Sequence, residues 1–84
     1  MITILYFARL REALGKGSET LDLPREVRDI AGLQRMLAGR GGPWTEALGH
    51  GTNVRAAVNQ AMAGGNVAVA DGDEVAFFPP VTGG

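Results

Sequence analysis

The chain of 84 residues contains no cysteine. Disulfides and thiolate-ligated zinc or iron–sulfur sites are therefore excluded, and no side chain can carry sulfur as a thiol or persulfide. The single histidine, His50, lies in a glycine-flanked loop with no nucleophile motif nearby, so a histidine-based catalytic triad is not indicated. The general acid and base groups of any reaction must come from another protein.

The chain also lacks a large excess of charge of either sign, and it lacks long apolar segments. The net charge is −1, from 8 basic and 9 acidic residues, which gives no electrostatic basis for binding nucleic acid. No stretch approaches the roughly 20 apolar residues of a membrane span. The apolar start, residues 1–7, lacks the basic residues and the cleavage site of a secretory signal. We therefore expect a cytoplasmic protein with no nucleic-acid or membrane partner.

Two segments that resemble ligand sites have ordinary structural explanations. Gly39, Gly41 and Gly42 follow a predicted helix and lack the Gly-Lys-Ser/Thr ending of a phosphate loop, so we interpret them as a helix stop. The acidic run at residues 71–74 lacks the ligand spacing of a calcium loop and is typical of a turn. We expect this chain to bind no metal and no cofactor of its own.

The hydrophobic pattern predicts a single domain, residues 1–84, of the α+β class. Period-two alternation, with many β-branched and aromatic residues, predicts strands at 2–7, 19–23, 53–59, 67–69 and 75–78. Short helical segments are predicted at 9–14 and 43–48. The principal helix begins after the capping residue Asp29 and ends at the glycine cluster. A chain this short with that order favours one mixed sheet packed on one principal helix.

Strand alternation divides the large apolar residues between two faces of this sheet. If Tyr6 faces the helix, Phe7 lies on the opposite face, and if Phe77 points inward, Phe78 points outward. One principal helix leaves little to cover that second face. An exposed patch of Phe7, Phe78 and Met62 is therefore predicted to be a docking surface. The alternative is an alternation shifted by one residue, which would place these residues in the core.

The sequence ends in two prolines followed by Val81-Thr82-Gly83-Gly84. Proline fixes φ and favours extended backbone, so residues 81–84 are predicted to form a flexible tail that reaches roughly 13 Å beyond the fold. Gly83 and Gly84 have no Cβ, which leaves the last carbonyl open to attack. A frayed terminus without function is the alternative. The apolar strand and the proline pair instead favour a carboxylate that enters another protein's active site.

From Asp71 to Gly84 the sequence resembles, almost residue for residue, the small sulfur-carrying subunits of molybdopterin synthases. The segments Leu5-Tyr6-Phe7-Ala8, with Arg11-Glu12, and Ala57-Val58-Asn59-Gln60 are similar to the same family. The resemblance covers the whole chain in length and element order, and it is most specific in the last fourteen residues. It implies a β-grasp, ubiquitin-like fold.

The resemblance also implies a reaction cycle. An adenylating (E1-like) activating enzyme uses ATP to adenylate the Gly84 carboxylate, and a sulfur donor converts the acyl-adenylate to a thiocarboxylate. The tail, with Thr82 and Gly83, then enters the large subunit of molybdopterin synthase. There the sulfur is transferred to cyclic pyranopterin monophosphate in molybdenum cofactor biosynthesis. The chain is thus expected to be no enzyme on its own, but the sulfur-donating subunit of a heteromeric sulfurtransferase.

In that family, hydrophobic contacts with the large subunit fall at positions that match Phe7, Met62 and Phe78. We assign Pro79 and Pro80 to the same partner-binding set, because they join Phe78 to the tail.

Three other roles remain open at this point. A ubiquitin-like modifier would use the same Gly-Gly ending to form isopeptide bonds with lysines of target proteins. The related thiamine sulfur carriers also end in Gly-Gly, but they are usually shorter and lack the Phe-Phe-Pro-Pro run. A purely structural binding module is the weakest alternative, since it gives the ending no purpose.

Overall fold

The computed structural model describes residues 1–80, and within them five strands form one mixed sheet. The predicted tail and the predicted site residues Thr82, Gly83 and Gly84 lie outside the described residues. The strands are β1 (Ile2–Tyr6), β2 (Ser18–Leu21), β3 (Arg55–Val58), β4 (Ala61–Ala63) and β5 (Glu74–Phe78). The helices are α1 (Ala8–Leu14), α2 (Ile30–Ala38) and α3 (Pro43–Leu48).

The strand order across the sheet is β2-β1-β5-β3-β4. The two central strands, β1 and β5, are parallel, and every other neighbouring pair is antiparallel. A parallel pair needs a crossover connection, and here the crossover includes α2, whose buried residues pack against the sheet. The predicted mixed sheet with one principal helix is confirmed. No helix in residues 1–80 is long and apolar enough to cross a membrane.

Local sequence explains where α2 forms. Asp29 is the N-cap, and its Oδ1 accepts a hydrogen bond from the Gly32 N–H at 2.8 Å, which satisfies one of the free donors of the first turn. Ile30, Leu33 and Leu37 lie at helical spacing and are all buried. The helix therefore presents one apolar stripe to the sheet, as its pattern predicts.

The core lies between α2 and the inner face of the sheet, the face that α2 covers. Ile2, Ile4, Tyr6, Val75 and Phe77 are each 0% exposed. Leu33, Leu37 and Leu48 are among the residues that the helices add to this cluster. Full burial of such side chains contributes about 1.5–3 kcal/mol each, so the alternating residues of β1 and β5 supply much of the stabilisation.

The predicted strand at 67–69 is wrong. That segment forms only an isolated bridge, and the fourth strand is Ala61–Ala63. Asn59 and Gln60 have φ of +50° and +71° and connect β3 to β4 as a two-residue turn. Such turns usually contain glycine, and because this one does not, its sequence lacks the pattern that marks a tight hairpin.

Three other strands are shorter than predicted: β1 by one residue, at its end, and β2 and β3 for a reason that lies in their neighbours. β2 ends at Leu21, which already pairs with Ile2 at the start of β1, so the residues that follow have no partner in β1. β3 begins at Arg55, which pairs with Phe78 at the end of β5. The next residue, Pro79, has no N–H and cannot extend the ladder. The length of the neighbouring strand therefore sets both boundaries.

Candidate outer docking site

The outer face of the sheet, opposite α2, carries an apolar row that crosses four strands. Leu5 pairs with Ala76, Ala76 pairs with Ala57, and Ala57 pairs with Met62. Residues paired in a sheet project to the same face. These four side chains therefore form a continuous apolar line from β1 to β4.

A second row lies nearer to the point where the chain leaves β5. Phe78 pairs with Arg55 of β3. The Phe7 N–H donates to the Phe77 carbonyl at 3.1 Å, so the parallel pairing of β1 and β5 continues past Tyr6 and sets Phe7 beside Phe78. The outer patch is defined here as the six apolar residues of the two rows: Leu5, Phe7, Ala57, Met62, Ala76 and Phe78.

Exposure separates the three large residues of this patch, Phe7, Met62 and Phe78, from the core. Met62 is 68% exposed and Phe7 46% exposed, while Phe78 is half-buried. Phe77, one residue earlier, is 0% exposed. The structure therefore places Phe7, Met62 and Phe78 together on the uncovered face and excludes an alternation shifted by one residue.

Backbone strain occurs beside the patch at both ends. Within residues 1–80, the non-glycine residues with positive φ are Ala8, at +53°, and the turn pair Asn59 and Gln60. Ala8 follows Phe7 directly, and the turn precedes Met62 by two residues. Left-handed backbone costs a non-glycine residue about 1–2 kcal/mol, and such strain is often found at functional sites. The sharp turns there end the strands directly beside the two most exposed patch residues.

The turn before Met62 is held through Asn59, which bonds to the first residue of β5 and to the residue before it. The Asn59 N–H donates to the Glu74 carbonyl at 2.7 Å, and Asn59 Nδ2 donates to Asp73 Oδ1 at 3.0 Å. Asp73 also accepts from the Ala70 N–H at 2.8 Å, and this bond, with the one from Asn59, lowers the pKa of the Asp73 carboxyl. The acidic run thus forms a turn, as predicted.

The root of the tail lies next to the outer patch because β5 is a central strand. Pro79 and Pro80 are half-buried and line a depression of about 400 Å³ together with residues of α1, α3 and the segment 52–54. The two prolines therefore follow Phe78 directly and contact the segments that border the end of β5. Thr82, Gly83 and Gly84 are outside the described residues, and their roles stay predictions.

Polar groups on the inner side form a structural network. Tyr6 Oη donates to Glu19 Oε2 at 2.7 Å, and Arg40 binds both oxygens of Glu19 at 2.9 Å each. The hydrogen bonds from Arg40 lower the pKa of Glu19, whereas burial and the hydrogen bond to Glu19 raise the pKa of Tyr6. The Arg40 guanidinium also lies 4.4 Å from the Trp44 ring centroid. This network joins β1 and β2 to the segment after α2.

No acid–base or metal site emerges in residues 1–80. His50 is exposed, and no three His, Asp or Glu side chains gather as potential metal ligands in that part of the chain. Sequence reasoning missed Arg55 as part of the outer face. Strand alternation does predict this position, because Arg55 lies two residues before Ala57 and so projects to the same side of β3.

Residues 4–84 match the ThiS family. The chain belongs to this family. It is 39% identical to the molybdopterin synthase sulfur carrier subunit of Escherichia coli K12, over 84 residues that cover 100% of both chains. The predicted family is thereby confirmed.

Solved structures agree with this assignment. The putative molybdopterin converting factor subunit 1 of Pyrococcus furiosus superposes with a TM-score of 0.77 at 32% identity, covering 95% of this chain and 97% of that one. The SAMP1 protein of Haloferax volcanii superposes with a TM-score of 0.76 at 28% identity, covering 99% of this chain and 98% of that one. The predicted β-grasp, ubiquitin-like fold is confirmed.

Proposed function

We propose that this ThiS family chain is the sulfur carrier subunit of a molybdopterin synthase, and that its tail donates the sulfur. The observation that carries the proposal is the 39% identity to such a subunit over 100% of both chains. The outer patch supports it, because an uncovered apolar surface at the root of the tail suits a partner that receives the tail.

The first step activates the tail. An oxygen of the Gly84 carboxylate attacks the α-phosphorus of ATP in an adenylating (E1-like) enzyme, and pyrophosphate leaves. A sulfur donor at the sulfide level, such as hydrosulfide, then attacks the acyl carbon, AMP leaves, and loss of the S–H proton gives the thiocarboxylate. Adenylation is needed because a carboxylate has no good leaving group. The glycines at 83 and 84 have no Cβ to obstruct either attack.

The second step delivers the sulfur. The thiocarboxylate is an anionic, soft nucleophile, and Thr82 and Gly83 carry it into the large subunit. There it attacks a carbon of cyclic pyranopterin monophosphate and displaces an oxygen leaving group. Water then cleaves the acyl–sulfur bond, which leaves the sulfur on the pterin and restores the Gly84 carboxylate. Phe7, Met62 and Phe78 then bind the large subunit. The large subunit supplies the acid–base groups and the substrate pocket. This chain is thus one half of a sulfurtransferase, without a cofactor of its own, in the cytoplasm.

Intact-mass spectrometry tests the activation step. After incubation with the activating enzyme, ATP and a sulfur donor, the chain gains about 16 Da, the difference between sulfur and oxygen. The matched control lacks Gly84 and gains nothing while remaining folded. An unchanged mass of the full chain, beside a carrier that the same enzyme does activate, contradicts the proposal.

A second role, as a protein modifier, is favoured by two similar solved structures. They are the SAMP1 protein and the small archaeal modifier protein 1 of Haloferax volcanii. In this role Gly84 forms an isopeptide bond with lysines of target proteins. Conjugates that survive denaturing electrophoresis and carry a Gly-Gly remnant support it. A blot that shows only the free chain, in cells with active activating enzyme, contradicts it.

A further inference from the structure

Arg55 is a charged residue within an apolar surface. It is exposed and is the first residue of β3. Its register partner on β5 is Phe78, so its side chain projects to the outer face beside Phe78. Arg55 also lines a depression of about 450 Å³ with Thr52, Asn53 and Pro80. Arg55 therefore borders both the outer patch, at Phe78, and the root of the tail, at Pro80.

This guanidinium has no carboxylate partner within residues 1–80. The ion pairs in that part of the chain join Met1 to Asp71 and Arg40 to Glu19. The acidic residue of the outer face, Glu74, pairs with Thr3 at the far end of β5, four positions before Phe78. The outer face thus carries positive charge at the end next to the tail and negative charge at the other end.

A protein that covers the patch also removes water from Arg55. A guanidinium buried without a partner costs several kcal/mol, whereas a carboxylate that accepts two hydrogen bonds offsets that cost. A carboxylate on the docked protein is therefore the partner that suits Arg55.

We propose that Arg55 is a specificity-determining residue of the outer patch, which pairs with a carboxylate of the large subunit and fixes the orientation in which the tail enters. The inference rests on the proposed function. Glu74 lies at the other end of the outer face. If the large subunit docked in the opposite orientation, the carboxylate that pairs with Arg55 would lie near Glu74 instead, and the two negative charges would repel each other.

The test compares three thiocarboxylated variants in titrations with the large subunit. Arg55→Gln removes the charge, Arg55→Glu reverses it, and Arg35→Glu is the matched control, since Arg35 is exposed on α2, which covers the inner face. We expect Kd to rise about tenfold for Arg55→Gln and further for Arg55→Glu. Arg35→Glu stays within about twofold of the wild type. Raising the salt concentration weakens the wild type more than Arg55→Gln.

Two controls separate this inference from the proposed function. Melting curves establish that each variant is folded, and the gain of about 16 Da establishes that each tail carries sulfur. If Arg55→Glu binds as Arg35→Glu does, while Phe78→Ala binds weakly, the role of Arg55 is refuted and the proposed function stands. If the wild type neither takes up sulfur nor binds the large subunit, both are refuted.

Discussion

Phe77 and Phe78 are neighbours in sequence and identical in chemistry, yet they belong to different surfaces. Phe77 is 0% exposed and stacks on Tyr6 with ring centroids 6.4 Å apart. Phe78 is half-buried on the outer face beside Arg55. The difference arises only from strand alternation, because α2 covers one face and no described element covers the other. The inner face stabilises the fold, and the outer face is available to a partner.

The largest expected effect is on stability when the inner face is truncated. Phe77→Ala leaves a cavity between the sheet and α2, and we expect it to lower the free energy of unfolding by about 3–5 kcal/mol. That is much of the total stability of a small domain. Urea unfolding measures the loss. The matched control is Phe78→Ala, which we expect to lower the free energy of unfolding by only about 1 kcal/mol. Equal losses for the two variants would contradict the division between faces.

The polar network on the inner side gives the next effect. Arg40 holds the pKa of Glu19 below its ordinary value, so the network stabilises the fold above the unfolded pKa, near 4.3. This contribution is lost as pH falls through the lower pKa of the folded state. We expect Glu19→Gln to cost about 1–2 kcal/mol at pH 7.

Unfolding curves between pH 7 and pH 3 check this prediction. The stability difference between the wild type and Glu19→Gln should shrink as Glu19 is protonated. Asp73 has a lowered pKa as well, but it is present in both proteins and cancels in the difference. A difference that stays constant down to pH 3 would show that Glu19 contributes by packing and not by charge.

A smaller effect of opposite sign is expected at the turn beside the outer patch. Gln60 has φ of +71°, and Gln60→Gly removes the clash of its Cβ, which we expect to stabilise the fold by about 0.5–1 kcal/mol. Ala61→Gly, one residue later in β4, is the matched control and destabilises by about 0.5–1 kcal/mol. Thermal midpoints of both variants measure the effects. Two shifts in the same direction would show that Gln60 is not strained.

Much of this architecture follows from short-range sequence signals. Alternation in β1 and β5 predicts which phenylalanine is buried, and Asp29 marks the start of α2 because its carboxylate caps the first turn. Both patterns involve residues that are close in sequence, so they can be recognised without the structure. The same alternation predicts that Phe7 and Phe78 share the uncovered face.

The features that sequence reasoning missed depend on contacts between distant segments. The hydrogen bonds of Glu19 reach residues 13 and 21 positions away, and the place of Arg55 beside Phe78 depends on the β3–β5 register. The β3–β4 turn adopts left-handed backbone at two non-glycine residues, which local propensity disfavours. Its hydrogen bonds to β5 stabilise a conformation that the sequence pattern does not indicate.

The division between the two faces is tested most directly by one titration. Thiocarboxylated wild type and Phe78→Ala are titrated into the large subunit, and the unfolding free energy of each chain is measured alongside. We predict that Phe78→Ala weakens binding by about 2 kcal/mol or more, a factor of roughly 30 in Kd, while it costs only about 1 kcal/mol of stability. An unchanged Kd together with a stability loss of about 3 kcal/mol would show instead that Phe78 belongs to the core.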